Sequence, residues 1–387
     1  MKLAKRMSRL GTETAFDVLA KAKALEAKGR EIIHLEIGEP DFDTPANIIN
    51  AAVEALRSGH THYTPASGVL PLRQTIAEEV SRSRDIAVHP DQVVVVPGGK
   101  PIMFFALLAL CEAGDEVIYP NPGFPIYESM INFVGAKPVP IRLSMDREFS
   151  FDLDEFRRLV TDRTRLIILN SPANPTGGVL SLDDLAQVAE IALAHQIPVL
   201  ADEIYSHILY DEAFASIATI PGMQDLTIIL DGYSKTYAMT GWRIGYGVMP
   251  IELAQQITKL MVNSNSCTAA FTQMAGIEAL KGPQDATTEM VDAFRRRRDL
   301  IVAGLNKIPG FHCLLPKGAF YVFPNIEGTG KTSQELADYL LAEAGVALLS
   351  GTCFGAYGEG FLRLSYANSE ANISKALERI KDAVVRL

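Results

Sequence analysis

Short apolar runs rich in β-branched residues recur along much of this chain, and stretches with helical spacing stand between them. The runs are Val93–Val96, Glu116–Tyr119, Leu166–Leu169, Pro198–Ala201, Thr227–Leu230 and Ile244–Val248. Helical periodicity fills several of the gaps, as at Met103–Cys111 and Leu182–His195. Apolar strands without polar alternation are covered on both faces, and strands separated by helices form crossover units. The pattern predicts an α/β fold with a mostly parallel central sheet.

From about Val291 the pattern changes. A long helical stretch leads into FHCLLPKGAFYVFPN. A helix over Ser333–Ala344, a strand near Val346–Leu349, the segment FLRLSYA and a helix over Glu370–Arg386 follow. This reads as a smaller α+β domain. A helix is also expected at Phe16–Lys28, stopped by Gly29, in a segment that packs with the small domain. The expected division is a segment 1–45, a large domain 46–290 and a small domain 291–387. A length of 387 residues with 48% hydrophobic content supplies enough core for two domains.

Charge argues against nucleic acid as a partner. The formal net charge is −10, and the one basic cluster, Arg295–Arg298, reads as a solvated or salt-bridged helix face. Four cysteines, Cys111, Cys267, Cys313 and Cys353, lack the spacing of a metal site or a disulfide framework. No signal-peptide core and no membrane-length apolar run is present, so a cytoplasmic enzyme is expected.

Polar and glycine-rich groups cluster just after the predicted strands. Gly98-Gly99-Lys100 follows the first run, and Asn174 follows Leu166–Leu169. Asp202 follows Pro198–Ala201, and Ser234-Lys235 follows Thr227–Leu230. Ligands of open α/β sheets bind beyond the carboxyl ends of the strands, so these four groups point to one pocket.

The segment from Asp231 through Ser234, Lys235, Arg243 and Gly245 closely resembles the lysine motif of the class I/II aminotransferases, within the fold type I pyridoxal-phosphate (PLP) enzymes. That resemblance implies a fold of a large domain with a mostly parallel sheet plus a smaller α+β domain. It also implies that Lys235 is the Schiff-base lysine and that Arg243 binds the cofactor phosphate. Such a cofactor needs an amine, a carboxylate for its ring nitrogen, donors for its phenolic oxygen and an anion site. Asp202 in VLADEIY matches the ring-nitrogen carboxylate, and Tyr205 the partner of the phenolic oxygen. Alone, Asp202 would read as a helix cap, and Glu203 is taken as structural.

The other motifs run in order along the chain. Asn174 in SPANPTGG, after Ser171 and Pro172, implies contact with the phenolic oxygen and the substrate carboxylate. Gly99 and the Lys100 amide imply a phosphate cradle at a helix start, where Pro101 cannot donate. Phe124 in NPGFPIY takes the place of the stacking aromatic, where many aspartate-type relatives carry tryptophan. Arg363 in FLRLSYAN matches the carboxylate-binding arginine, and Gly38 in EIGEPDFDTP implies a backbone contact to the same carboxylate. Tyr63 resembles the tyrosine that reaches the neighbouring subunit's phosphate, which implies a homodimer with shared sites. One departure is Gly232, where some relatives have a phosphate-binding serine; Ser234 or loop amides would have to compensate.

The resemblance implies transfer of an amino group from an L-amino acid to a 2-oxo acid, with 2-oxoglutarate as the expected acceptor and ping-pong kinetics. A PLP-dependent C–S β-lyase shares the same motifs and is the nearest alternative. A PLP-sensing transcription regulator is disfavoured, because the 37 residues before Gly38 are too few for a DNA-binding domain. An anionic donor side chain would need a cation from Lys5, Arg6, Arg9 or a partner chain, and no motif chooses among them.

Overall fold

A computed structural model describes all residues, 1–387. Its strands are β1 (Ile33–His34), β2 (Val93–Val96), β3 (Glu116–Asn121), β4 (Lys137–Ser144), β5 (Ser150–Phe151), β6 (Thr164–Asn170) and β7 (Val199–Asp202). They continue with β8 (Thr227–Gly232), β9 (Gly245–Val248), β10 (Tyr321–Val322), β11 (Val346–Ala347), β12 (Leu349–Ser350) and β13 (Leu362–Ser365). Eight strands form one sheet in the order β2-β9-β8-β7-β6-β3-β4-β5. Neighbours from β8 through β7, β6 and β3 to β4 are parallel, while β9 and β5 run against their neighbours. The mostly parallel α/β sheet is the one expected.

Both faces of this sheet are buried, which explains the unbroken apolar runs. On β6, Ile167 and Leu169 enter one core, while Leu166 and Ile168 enter the core on the opposite face. Side chains alternate across a strand, so a polar residue at any of the four would lie in a core. Truncating Ile168, which has no exposed surface, should cost about 2–5 kcal/mol.

The helix Leu182–His195 forms where its periodicity predicts. Its start is fixed by a capping box in which the Ser181 side chain accepts from the Asp184 amide, while Asp184 accepts from the Ser181 amide. Other boundaries move by a few residues. The helix expected at Phe16–Lys28 spans Thr14–Glu26, and that expected at Met103–Cys111 spans Lys100–Leu110. Pro101 fits inside the first turn because the first helical N–H groups need no intrahelical partner.

The longest strand, β4, escaped the sequence reading because its segment KPVPIRLS carries two prolines. The Lys137 amide donates to the Asp115 carbonyl, so alternate amides face β3 while Pro138 and Pro140 face away. On that side β5 pairs only with Leu143 and Ser144, so the prolines interrupt no ladder.

The C-terminal part of the chain, together with β1 from the N-terminal segment, builds two further sheets. One pairs β1 with β11, and the other has the order β10-β13-β12. The strand expected at Val346–Leu349 is therefore two short strands in different sheets. Helices Asp285–Leu305 and Glu370–Val384 enclose a core of 32 buried residues that includes Phe294, Phe320 and Tyr366. The arginine cluster lies on the first of these helices and is salt-bridged, but half of it is not solvated. Arg297 and Arg298 are buried, and they pair with Asp41 and Asp211 at 2.7 Å each.

Candidate active site

A cavity of about 560 Å³ lies at the carboxyl ends of β2, β6, β7 and β8. Its wall contains Gly38, Gly99, Lys100, Phe124, Asn174, Asp202, Tyr205, Ser234, Lys235, Arg243 and Arg363. These are eleven of the twelve residues singled out from sequence. The exception, Tyr63, is 90% exposed and is absent from the cavity wall within this chain.

Lys235 stands at the centre, just beyond the end of β8. Its Nζ donates to the Gly38 carbonyl at 2.6 Å and lies 5.8 Å from the Phe320 ring. Burial pushes the ammonium down to about 8, so the neutral amine is accessible near neutral pH. Asp202 ends β7 and is almost fully buried. Burial raises its carboxyl to about 6, although the Tyr127 hydroxyl donates to Oδ2 at 2.6 Å and the Ile204 amide donates to Oδ1. No helix follows at once, so Asp202 is not a helix cap. Its neighbour Glu203 is structural, binding Arg84 at 3.1 Å and Ser216 at 2.5 Å.

One end of the cavity gathers a helix start and a guanidinium. Gly99 caps the helix Lys100–Leu110, whose first amides have no helical partners. The Arg243 guanidinium lies so close to Gly98 that a Cβ at Gly98 would collide with it. Gly98 also has a φ of +83°, a left-handed conformation that favours glycine. The departure at Gly232 has a steric cause: a Cβ there would lie 2.9 Å from the Gly245 Cα. β9 thus leaves no room for a serine, while Ser234 lies on the cavity wall.

Arg363 defines the other end, on β13. Its Nη2 donates to the Glu36 carbonyl and its Nη1 to Asn174 Oδ1 at 3.4 Å. Its Nε is buried without a partner. Burial lowers the guanidinium below its usual range, and its side-chain partners are the neutral oxygens of the Glu36 backbone and the Asn174 side chain. A buried arginine in this state calls for an anion. Asn170 shapes the same wall by accepting from the Asn174 amide at 2.9 Å and donating to the Asp202 carbonyl at 3.0 Å.

Residues 30–380 match the family model for aminotransferase class I and II. The chain belongs to that family. The probable aspartate/prephenate aminotransferase of Aquifex aeolicus is 40% identical over 389 residues, covering 99% of this chain and 98% of that one. The structure of the aspartate aminotransferase from Rhizobium meliloti superposes with a TM-score of 0.96 at 38% identity over 100% of both chains. An aromatic aminotransferase from Pyrococcus horikoshii gives a TM-score of 0.90 at 39% identity, covering 95% of this chain and 99% of that chain. The fold is therefore fold type I, and the protein is an aminotransferase that moves an amino group from an amino acid to a 2-oxo acid. These relatives do not favour the lyase alternative.

Several wall residues of the cavity were not found from sequence. Tyr127 and Tyr321 are the main ones. Tyr127 sits three positions after Phe124 in NPGFPIY, so a stricter reading of that motif had a signal for it. Tyr321 lies in the apolar run AFYVF, which reads as core. Lys5, Arg6 and Arg9, the cations considered for an anionic side chain, do not reach the wall. Arg9 instead donates to the Phe133 carbonyl, tying the N-terminal segment to the helix Ile126–Val134. Lys100 is on the wall, and its ammonium pairs with Glu13. No helix is long and apolar enough to cross a membrane.

Proposed function

We propose that PLP binds in this cavity, bonded to Lys235, and that the aminotransferase passes the amino group of an L-amino acid to 2-oxoglutarate. The single observation that carries this is the convergence of Lys235, Asp202 and Arg363 on one cavity, where burial shifts Lys235 and Asp202 toward neutral pH and the Arg363 Nε has no partner. The donor set fits the cofactor. Gly99, the Lys100 amide, Ser234 and Arg243 form a cradle for phosphate. Asp202 would hold the ring nitrogen as a cation, which removes the cost of its own buried charge. Phe124 supplies a stacking face, and Tyr205 with Asn174 supplies polar groups for the phenolic oxygen.

When bound, PLP supplies an electron sink that stabilises negative charge at the amino acid's Cα. The protein's residues do the rest. Arg363 and Asn174 hold the substrate carboxylate, with Gly38 offering backbone contact. Once the substrate's amino group takes its place on the cofactor, Lys235 would be free as an amine, with its ammonium pushed to about 8, to take the Cα proton and hand it to the cofactor's C4′. Asp202 stays ionised beside the ring nitrogen, and the Tyr127 hydroxyl keeps it in place. The chain divides into a segment 1–45, a large domain 46–290 and a small domain 291–387. Two copies form a homodimer in the cytoplasm, and the partner subunit's Tyr63 completes the phosphate site. The near-total exposure of Tyr63 supports that reading.

Absorption spectroscopy tests the proposal. The purified protein should carry a visible cofactor band that bleaches with an amino donor and returns with 2-oxoglutarate. A band that never bleaches, together with pyruvate release from a cysteine conjugate, would point to elimination. Absence of any band after PLP addition would remove Lys235 from its role.

A further inference from the structure

Tyr321 belongs to β10, whose partner strand β13 carries Arg363. Its ring lies under the Arg363 guanidinium, 4.7 Å from centroid to Cζ. Its hydroxyl meets the Tyr205 hydroxyl at 2.7 Å, inside the protein. The same hydroxyl is pressed against Gly38, where a Cβ would collide with it. Burial holds both tyrosines above their usual range, so both hydroxyls keep their protons.

A tyrosine hydroxyl has one proton to give. If Tyr205 gives its proton to the phenolic oxygen of the cofactor, its own oxygen is left as an acceptor. Tyr321 is the group in hydrogen-bond contact with that oxygen. We infer that Tyr321 is a positioning residue, whose hydroxyl donates to Tyr205 and so turns the Tyr205 proton toward the cofactor. This rests on the reading that Tyr205 faces the phenolic oxygen. Two donors in series also polarise each other, which strengthens the bond at the cofactor end.

The test uses the holoenzyme and the pH at which its visible band interconverts between its two forms. A donor at the phenolic oxygen favours the ionised form, so losing it raises that pH. Tyr321→Phe keeps the ring under Arg363 and removes only the hydroxyl. The midpoint should rise by about 0.5–1 unit, the size of one hydrogen bond. Tyr205→Phe should also raise it, and the double variant should go no further than Tyr205→Phe alone. The KM for the amino donor should change less than kcat, because Arg363 keeps its support. Gly38→Ala, whose new Cβ displaces the Tyr321 hydroxyl, gives a second variant with a shift in the same direction. A wild-type midpoint in Tyr321→Phe, or a full extra shift in the double variant, overturns the inference while leaving the PLP reading intact. A wild-type band that does not titrate overturns the inference alone, and a wild-type protein with no cofactor band overturns both.

Discussion

The Tyr127 hydroxyl donates to Asp202 Oδ2 across 2.6 Å, and both groups are shut away from solvent. That bond lowers the Asp202 carboxyl, but burial outweighs it and holds the group at about 6 against an ordinary 3.8. A carboxyl raised on folding binds its proton more tightly in the folded state. The apoprotein therefore loses stability as pH rises from about 4 to about 6, and the loss is complete above that. The cost is on the order of 3 kcal/mol. Asp202→Asn should raise the unfolding midpoint of the apoprotein at pH 7–8 while reducing turnover by orders of magnitude. Thermal unfolding at pH 4 and pH 8 checks the first part, because the gain should vanish at the lower pH.

Lys235 should set the pH dependence of cofactor attachment. The amine, not the ammonium, is the nucleophile, and burial brings the group to about 8. The rate at which PLP combines with the apoprotein should climb as pH rises through about 8 and then level off. Stopped-flow absorbance measures it. A rate still rising steeply toward 10.5 would show a lysine in an ordinary environment. Lys235→Ala should give no cofactor adduct after borohydride reduction, read by mass spectrometry.

Arg363 is a buried guanidinium whose Nε has no partner. A substrate carboxylate can meet it in a charge-assisted, bidentate bond that a lysine cannot reproduce. Arg363→Lys should raise the KM for amino acids roughly tenfold to hundredfold, the size of one bond to a charged group. Steady-state kinetics with several donors checks this. An increase confined to donors with acidic side chains would assign Arg363 to the side chain instead.

Arg84 makes a different kind of prediction, since it is absent from the cavity wall. It is buried and binds Asp231 at 2.6 Å and Glu203 at 3.1 Å, directly behind the strand ends that carry Lys235 and Asp202. Arg84→Met leaves two buried carboxylates without their cation. Breaking such a network costs about 3–5 kcal/mol. The urea midpoint should fall at pH 7 and partly recover at lower pH, because burial already holds the Glu203 carboxyl above its usual range and losing Arg84 removes a cation that lowers it.

Most of this architecture follows from local rules that a sequence states openly. Strands buried on both faces require continuous apolar runs, and β6 to β8 carry them. Residues just past those strands must face one crevice, so Asn174, Asp202 and Lys235 could be grouped from their positions in the chain. β4 was hidden because proline opposes strand formation except where no ladder partner waits, and only the sheet reveals that open side. Tyr321 was hidden for a related reason: a tyrosine in an apolar run reads as core, and it is also core. Its hydroxyl gains a role only because β10 is brought against Gly38, Tyr205 and Arg363. The amino-acid order determined the strands, the helices and the chemical groups available to the site. The tertiary structure decided which groups lost water without gaining an ion-pair partner, and that loss of water is what moves Lys235 and Asp202 toward neutral pH and leaves the Arg363 Nε without a partner.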